Sequence, residues 1–228
     1  MCAHLAFAPG MSTQHPSVVW IALPLTRMLV FQNSNSFFQA AKSVVSITQV
    51  LDASCSVNYE SCAAVMANYG SKIKRSEHCG QDFQRENPLV QQAYNGFVAY
   101  PAMYAATCLR SASGSYCLAD AITNAQSPTD SYIYYVGVGL TLPGGSRPTC
   151  NECLQNTFRV YSSASSNASA PVSQHYVETA QRINLGCGPN YVTTSIPAAK
   201  GAASWTGGSS STTLMAIAMA LTIGIVAL

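Results

Sequence analysis

The chain has 228 residues, a net charge of +2 and only 9% charged residues, against roughly 25% in an ordinary soluble domain. That length suits one domain plus processing segments, and a surface so poor in charge must be covered by Ser, Thr, Asn, Gln and Tyr, as is usual outside the cell. The largest basic group is Lys72, Lys74 and Arg75, the solvated end of a helix; it offers too few cations to bind phosphates by counterion release, which excludes a nucleic-acid partner.

Residues 1–36 form a poorly defined N-terminal segment. Residues 18–25 (VVWIALPL) have the length of a short signal-peptide core, but no Lys or Arg precedes them, Pro24 interrupts them and no small-residue cleavage site follows. The segment reads as a cryptic signal or a misassigned start.

Residues 37–193 read as a cysteine-rich, mainly α domain of about six helices with one short extended segment. Apolar residues recur at helical spacing over 37–51, with Ser36 as N-cap. A second stripe over 57–73 carries Cys62, Val65, Met66, Tyr69 and Ile73, and is read as core. Pro88 opens a third helix at its favoured first-turn position, where Leu89, Ala93, Phe97, Tyr100 and Tyr104 fall at steps of three and four. Pro101 should kink or split it. Residues 116–125 make a short fourth helix, ended by Ser127-Pro128. Residues 132–142 (YIYYVGVGLTL) are the one strand-like stretch, followed by the turn Pro143-Gly144-Gly145. Residues 150–163 and 172–185 make the last two helices, the second closed by Gly186. The Ser/Ala-rich loop between them holds the sequon Asn167-Ala168-Ser169, a candidate N-glycosylation site.

Residues 194–213 form a small-residue and Ser-rich linker, and 214–228 an apolar tail. No charged residue follows Lys200. Small residues at Gly201, Ala202, Ala203 and Ser204, a polar spacer over 205–213 and a short apolar end are the parts of a GPI signal. A transamidase site admits only small side chains, and the tail need only hold the chain in the membrane until cleavage. The tail falls short of the roughly 20 residues that span a bilayer and lacks a basic stop-transfer flank. The expected membrane partner is therefore a GPI anchor, with Gly201 and Ala202 the best attachment candidates.

Nine cysteines remain to be placed. Cys55, Cys62, Cys79, Cys108, Cys117, Cys150, Cys153 and Cys187 fall in one segment and Cys2 stands apart. An even count in a low-charge chain suggests an oxidised compartment and four bridges within the domain, with Cys2 outside them. Eight cysteines allow 105 connectivities, so the pairing stays open. Cys150-Asn151-Glu152-Cys153 has the CxxC spacing of thiol oxidoreductases, and Pro148-Thr149 places it at a helix start, where the dipole favours a thiolate. No βαβ context surrounds it, so both are read as structural half-cystines.

Catalytic sets are not evident. His78 adjoins Cys79 and His175 is isolated in the last helix, and neither belongs to a tetrahedral metal set. The serine-rich run 111–115 lacks the paired glycines of a nucleophile elbow. Asp82 with Glu86, four residues apart, and Asp120 and Asp130 are the candidate acid/base carboxylates, although helix caps explain them equally well. No catalytic residue, metal or cofactor is therefore assigned.

Several runs resemble one family of fungal cell-surface proteins, DUF7729, a domain of unknown function. They are Cys79-Gly80-Gln81-Asp82-Phe83, Asn87-Pro88-Leu89-Val90, Ala93-Tyr94-Asn95-Gly96, Ala99-Tyr100-Pro101, Tyr116-Cys117, Pro148-Thr149-Cys150-Asn151-Glu152-Cys153-Leu154 and Asn184-Leu185-Gly186-Cys187-Gly188-Pro189. The resemblance covers roughly residues 30–193. It implies a fungal source, secretion and often a GPI-type tail, and it carries no catalytic residues. It also implies two cysteines upstream of Phe37-Phe38 that this sequence lacks. The expected function is a non-catalytic surface or cell-wall module, with wall glycans as possible partners. The alternative is an anchored enzyme acting on wall polysaccharide.

Overall fold

The computed structural model describes residues 39–198. The N-terminal segment, Cys2, Ser36, the GPI residues Gly201, Ala202, Ala203 and Ser204 and the apolar tail lie outside the described residues.

Among the described residues the chain is helical, with nine α-helices: α1 (Val44–Cys55), α2 (Tyr59–Ile73), α3 (Gly80–Gln84), α4 (Pro88–Val98), α5 (Tyr100–Thr107), α6 (Cys117–Thr123), α7 (Ile133–Val136), α8 (Glu152–Ser165) and α9 (Tyr176–Cys187). Two 3-10 turns, Pro128–Tyr132 and Pro171–Gln174, join α6 to α7 and α8 to α9. The only β-type pairing among them is an isolated antiparallel bridge between Arg110 and Tyr116.

Short-range chemistry sets the helix starts. Asn58, Asn87 and Asn151 each accept a first-turn amide, from Ser61, Leu89 and Leu154 at 2.9, 3.1 and 2.9 Å; such caps hold amides that the helix itself cannot. α1 begins at Val44, where the Ser43 hydroxyl oxygen accepts Ser46 N; the start expected at residue 37 lies outside the described residues. Pro101 splits the third helix as expected: α4 ends and α5 begins around Ala99. The last helix starts at Tyr176, so His175 sits at its N-cap and not within it. It is closed by Gly188 at φ +105°, two residues beyond the expected Gly186.

The strand-like stretch 132–142 is not a strand. Its β-branched and aromatic residues form α7, and the helix stops in a Schellman motif: Gly139 N donates to Val136 O at 3.0 Å and Leu140 N to Tyr135 O at 3.1 Å. Gly139 takes φ +86°, the left-handed geometry that such a stop requires. Gly137 is needed for a different reason. A Cβ there would stand 2.3 Å from Met103 Sδ and 2.8 Å from the Tyr161 hydroxyl oxygen, so any side chain at 137 would force Met103 and Tyr161 to shift.

The main core gathers Ile47, Leu51, Met103, Leu118, Val136, Leu154, Phe158, Val172 and Ile183, with Tyr134, Tyr161 and Tyr176 wholly inside it. A second cluster, Cys62, Met66 and Tyr100, lies where α2 packs on α4 and α5. Buried tyrosines let a chain short of large aliphatics fill volume, provided each hydroxyl finds a place. The Tyr104 hydroxyl does so at Cys55 O, 2.9 Å away, and that of Tyr176 at Thr193 O, 2.5 Å away.

Three disulfides lock the packing. Cys55–Cys108 ties the end of α1 to that of α5, Cys117–Cys153 ties the start of α6 to α8, and Cys150–Cys187 ties the approach to α8 to the end of α9. Cys79 is disulfide-bonded outside these three pairs, and Cys62 takes part in none of the three.

Candidate functional site

Between α6, α8 and the loop 111–115 lies a cavity of about 240 Å³. The loop is shaped by Gly114 at φ +86° and by three serines in mutual contact: Ser111 Oγ stands 2.8 Å from Ser113 Oγ and 2.8 Å from Ser115 Oγ. Arg110 anchors it. Its guanidinium lies 3.8 Å over the Tyr116 ring and reaches Asp52 at 3.2 Å, while the Tyr116 hydroxyl donates to the same carboxylate at 2.9 Å. The exposed Arg110–Asp52 pair adds little by itself; with the stacked ring it fixes the loop against α1.

Three carboxylates face the cavity. Asp130 is 6% exposed and fully engaged: Oδ1 accepts the Ser127 hydroxyl and Thr149 N, each at 2.7 Å, and Oδ2 accepts Asn124 Nδ2 at 2.8 Å. A buried carboxylate is tolerable only with such partners. Asp120, exposed in the first turn of α6, takes the Ser115 hydroxyl at 2.5 Å. Glu152, exposed in the first turn of α8, takes Ala112 N at 2.5 Å. No lysine, arginine or histidine lines the cavity.

Tyr134 also lines the cavity. Burial first, then the charges of Asp120 and Asp130, push its phenol well above the ordinary tyrosine range, with Thr157 opposing in part. The Thr157 opposition comes through its side-chain hydroxyl, which lies against that of Tyr134, and neither buried hydroxyl finds a further partner.

The candidate carboxylates therefore separate. Asp120 and Asp130 share one cavity. Asp82 and Glu86 lie apart from it, in the stop of α3: Asn87 N donates to Asp82 O at 3.0 Å and Glu86 N to Phe83 O at 3.1 Å, with Glu86 held at φ +55°. Glu152 and Tyr134 were not anticipated as lining residues; Glu152 stood inside the CxxC run, where attention falls on the sulfurs. Cys150 and Cys153 are bonded to Cys187 and Cys117 and not to each other, so the CxxC is no dithiol pair. Asn167 is exposed in the turn after α8, its Oδ1 accepting Ser169 N at 3.0 Å.

Among the described residues no three His, Cys, Asp or Glu side chains converge to hold a metal ion, and no helix is long and apolar enough to cross a membrane. No curated protein and no solved structure matches the chain. The sequence pattern of one family, described as Domain of unknown function (DUF7729), matches residues 22–196. The chain is thus a member of the DUF7729 family.

Proposed function

We propose that the chain is an extracellular module of a fungal cell surface or cell wall, held at the membrane by a C-terminal GPI anchor, that acts by binding and not by catalysis. The observation that carries this reading is the set of disulfides among the helices. Bonds of this kind persist in oxidising compartments and are rare in the reducing cytosol. The low charge of the chain agrees with it, and so does the uncharged end with small residues at 201–204. Asn167 in its exposed turn is the proposed glycan attachment point.

The second reading, an anchored enzyme acting on wall polysaccharide, is favoured by one observation: Asp120 and Asp130 line the same cavity, and glycosidases work with paired carboxyl groups across a cleft. Against it, Asp130 spends its oxygens on Ser127, Asn124 and Thr149, which suits a structural anchor better than an acid or base. Incubating the purified protein with wall glucans, chitin and mannan separates the two. The module leaves the polymers intact; soluble products that vanish in an Asp120→Asn variant would establish the enzyme.

A further inference from the structure

After α9 the chain does not leave the domain at once. Residues 191–198 form no helix, and side chains of α8 and α9 hold the backbone of this strap. Gln155 Nε2 donates to Tyr191 O at 3.2 Å. Asn184 closes both polar groups of Val192, donating to its carbonyl at 3.0 Å and accepting its amide at 2.9 Å. The Tyr176 hydroxyl donates to Thr193 O at 2.5 Å and the Ser162 hydroxyl to Ser195 O at 2.9 Å. From Gln155 to Ser162 is a rise of about 10 Å along a helix, close to the roughly 13 Å that four residues of straight chain cover. The strap therefore runs beside α8 in the same direction, from its first turn to its third.

The grip is light on one side and covalent on the other. Val192, 5% exposed, is the strap's one buried side chain, and residues 193–198 are exposed. Segments with so few buried apolar contacts open more readily than the core they lie on. The hydrogen bonds resist weakly, because every group in them pairs with water once the strap lifts. Behind the strap stands Cys187, bonded to Cys150 at the head of α8. Between the two lies a turn suited to a hinge, with Gly188 at φ +105° and Asn190 at φ +61° flanking Pro189, which has no amide hydrogen to lose.

We propose that residues 188–195 are a releasable strap, which peels from α8 and α9 under a pull from the C-terminal side and stops at the Cys150–Cys187 bond. Peeling adds those eight residues to the link that follows the domain, about 26–29 Å of chain at full extension, while the helices stay packed. The proposal deepens the surface-module reading and rests on it only for the source of the pull. The strap is held by the fold itself, so loss of the anchor reading leaves the result below standing.

Optical tweezers test it by stretching the full, oxidised chain between handles at its two ends. The unaltered protein is expected to show a reversible step of no more than about 26–29 Å before its helices rupture. Asn184→Ala with Ser162→Ala should lower the force of that step and leave the later ruptures unchanged. Cys150→Ser with Cys187→Ser should lengthen it, because peeling then runs on into α9. A single rupture without the early step, a step that the first pair leaves unmoved, or one that the second pair does not lengthen overturns the strap. Should the variants fail to fold, native-state hydrogen exchange of the unaltered protein decides. A Val192 amide that exchanges ahead of those of Phe158 and Ile183 supports the strap, and exchange of all three together overturns it.

Discussion

Cys150 and Cys153, one helical turn apart at the head of α8, are bonded in opposite directions: Cys150 to Cys187 at the end of α9, and Cys153 to Cys117 at the start of α6. The pair therefore works as a rivet through three helices. Closing loops with sequence separations of 37 and 36 removes, on a chain-entropy estimate, about 4 kcal/mol of unfolded-state freedom per bond.

Replacing Cys117 and Cys153 together by serine should lower stability by about 2–5 kcal/mol. Denaturant unfolding measures the loss, and non-reducing peptide mapping checks the bonds. A Cys150–Cys153 bond in the unaltered protein would contradict this arrangement.

Asp130 and Asp120 should respond differently to truncation, although both line the cavity. Asp130 is buried and accepts three hydrogen bonds, so Asp130→Ala strands their donors and should cost about 3 kcal/mol. Asp120 is exposed and accepts one hydroxyl, and Asp120→Ala should cost under about 1 kcal/mol. Thermal unfolding of the two variants side by side gives the comparison; equal losses would mean that the Asp130 network is not structural.

Glu86 occupies a glycine position. Its φ of +55° is left-handed geometry that costs a residue with a Cβ roughly 1–2 kcal/mol, and glycine recovers part of this at the expense of a freer unfolded chain. Glu86→Gly should therefore stabilise the protein by about 0.5–1 kcal/mol. A destabilised variant would show that the Glu86 side chain does more than end α3.

Local signals and non-local ones were legible to different degrees. Pro88 opens a helix and Pro101 breaks one for reasons inside their own rings, so the helical character could be read along the chain, whereas Asn58 and Asn151, read as lying inside helices, are the caps before them. Residues 132–142 were misread because Ile133, Tyr134, Tyr135 and Val136 favour strands intrinsically. What overrides them is Gly137 against Met103 and Tyr161, and those contacts come from distant segments. The cavity escaped for the same reason. Ser111, Asp120, Tyr134 and Glu152 meet only after the Cys117–Cys153 bond and the packing of α6 and α8 bring four stretches together, and no spacing rule encodes that.

The buried phenols set an alkaline limit. Burial pushes Tyr134 and Tyr161 above the ordinary range, so the folded state holds their protons longer than the unfolded chain does. Above the unfolded value of about 10 the unfolded state binds fewer protons, and stability falls by up to about 1.4 kcal/mol per pH unit per tyrosine; below it, this contribution is fully present. Phenolate absorbance should lag the exposed tyrosines until the helical signal is lost. Full tyrosine ionisation with intact helicity would contradict the burial of these rings.

The surface-module reading stands or falls most directly on how the protein is held at the cell. Intact cells expressing the chain are treated with phosphatidylinositol-specific phospholipase C, and the released fraction is measured, with mass spectrometry of its C-terminal peptide. The account predicts release of protein that ends within residues 201–204 and carries the glycolipid remnant. Protein retained on the cells, with the apolar 214–228 peptide intact, would contradict it.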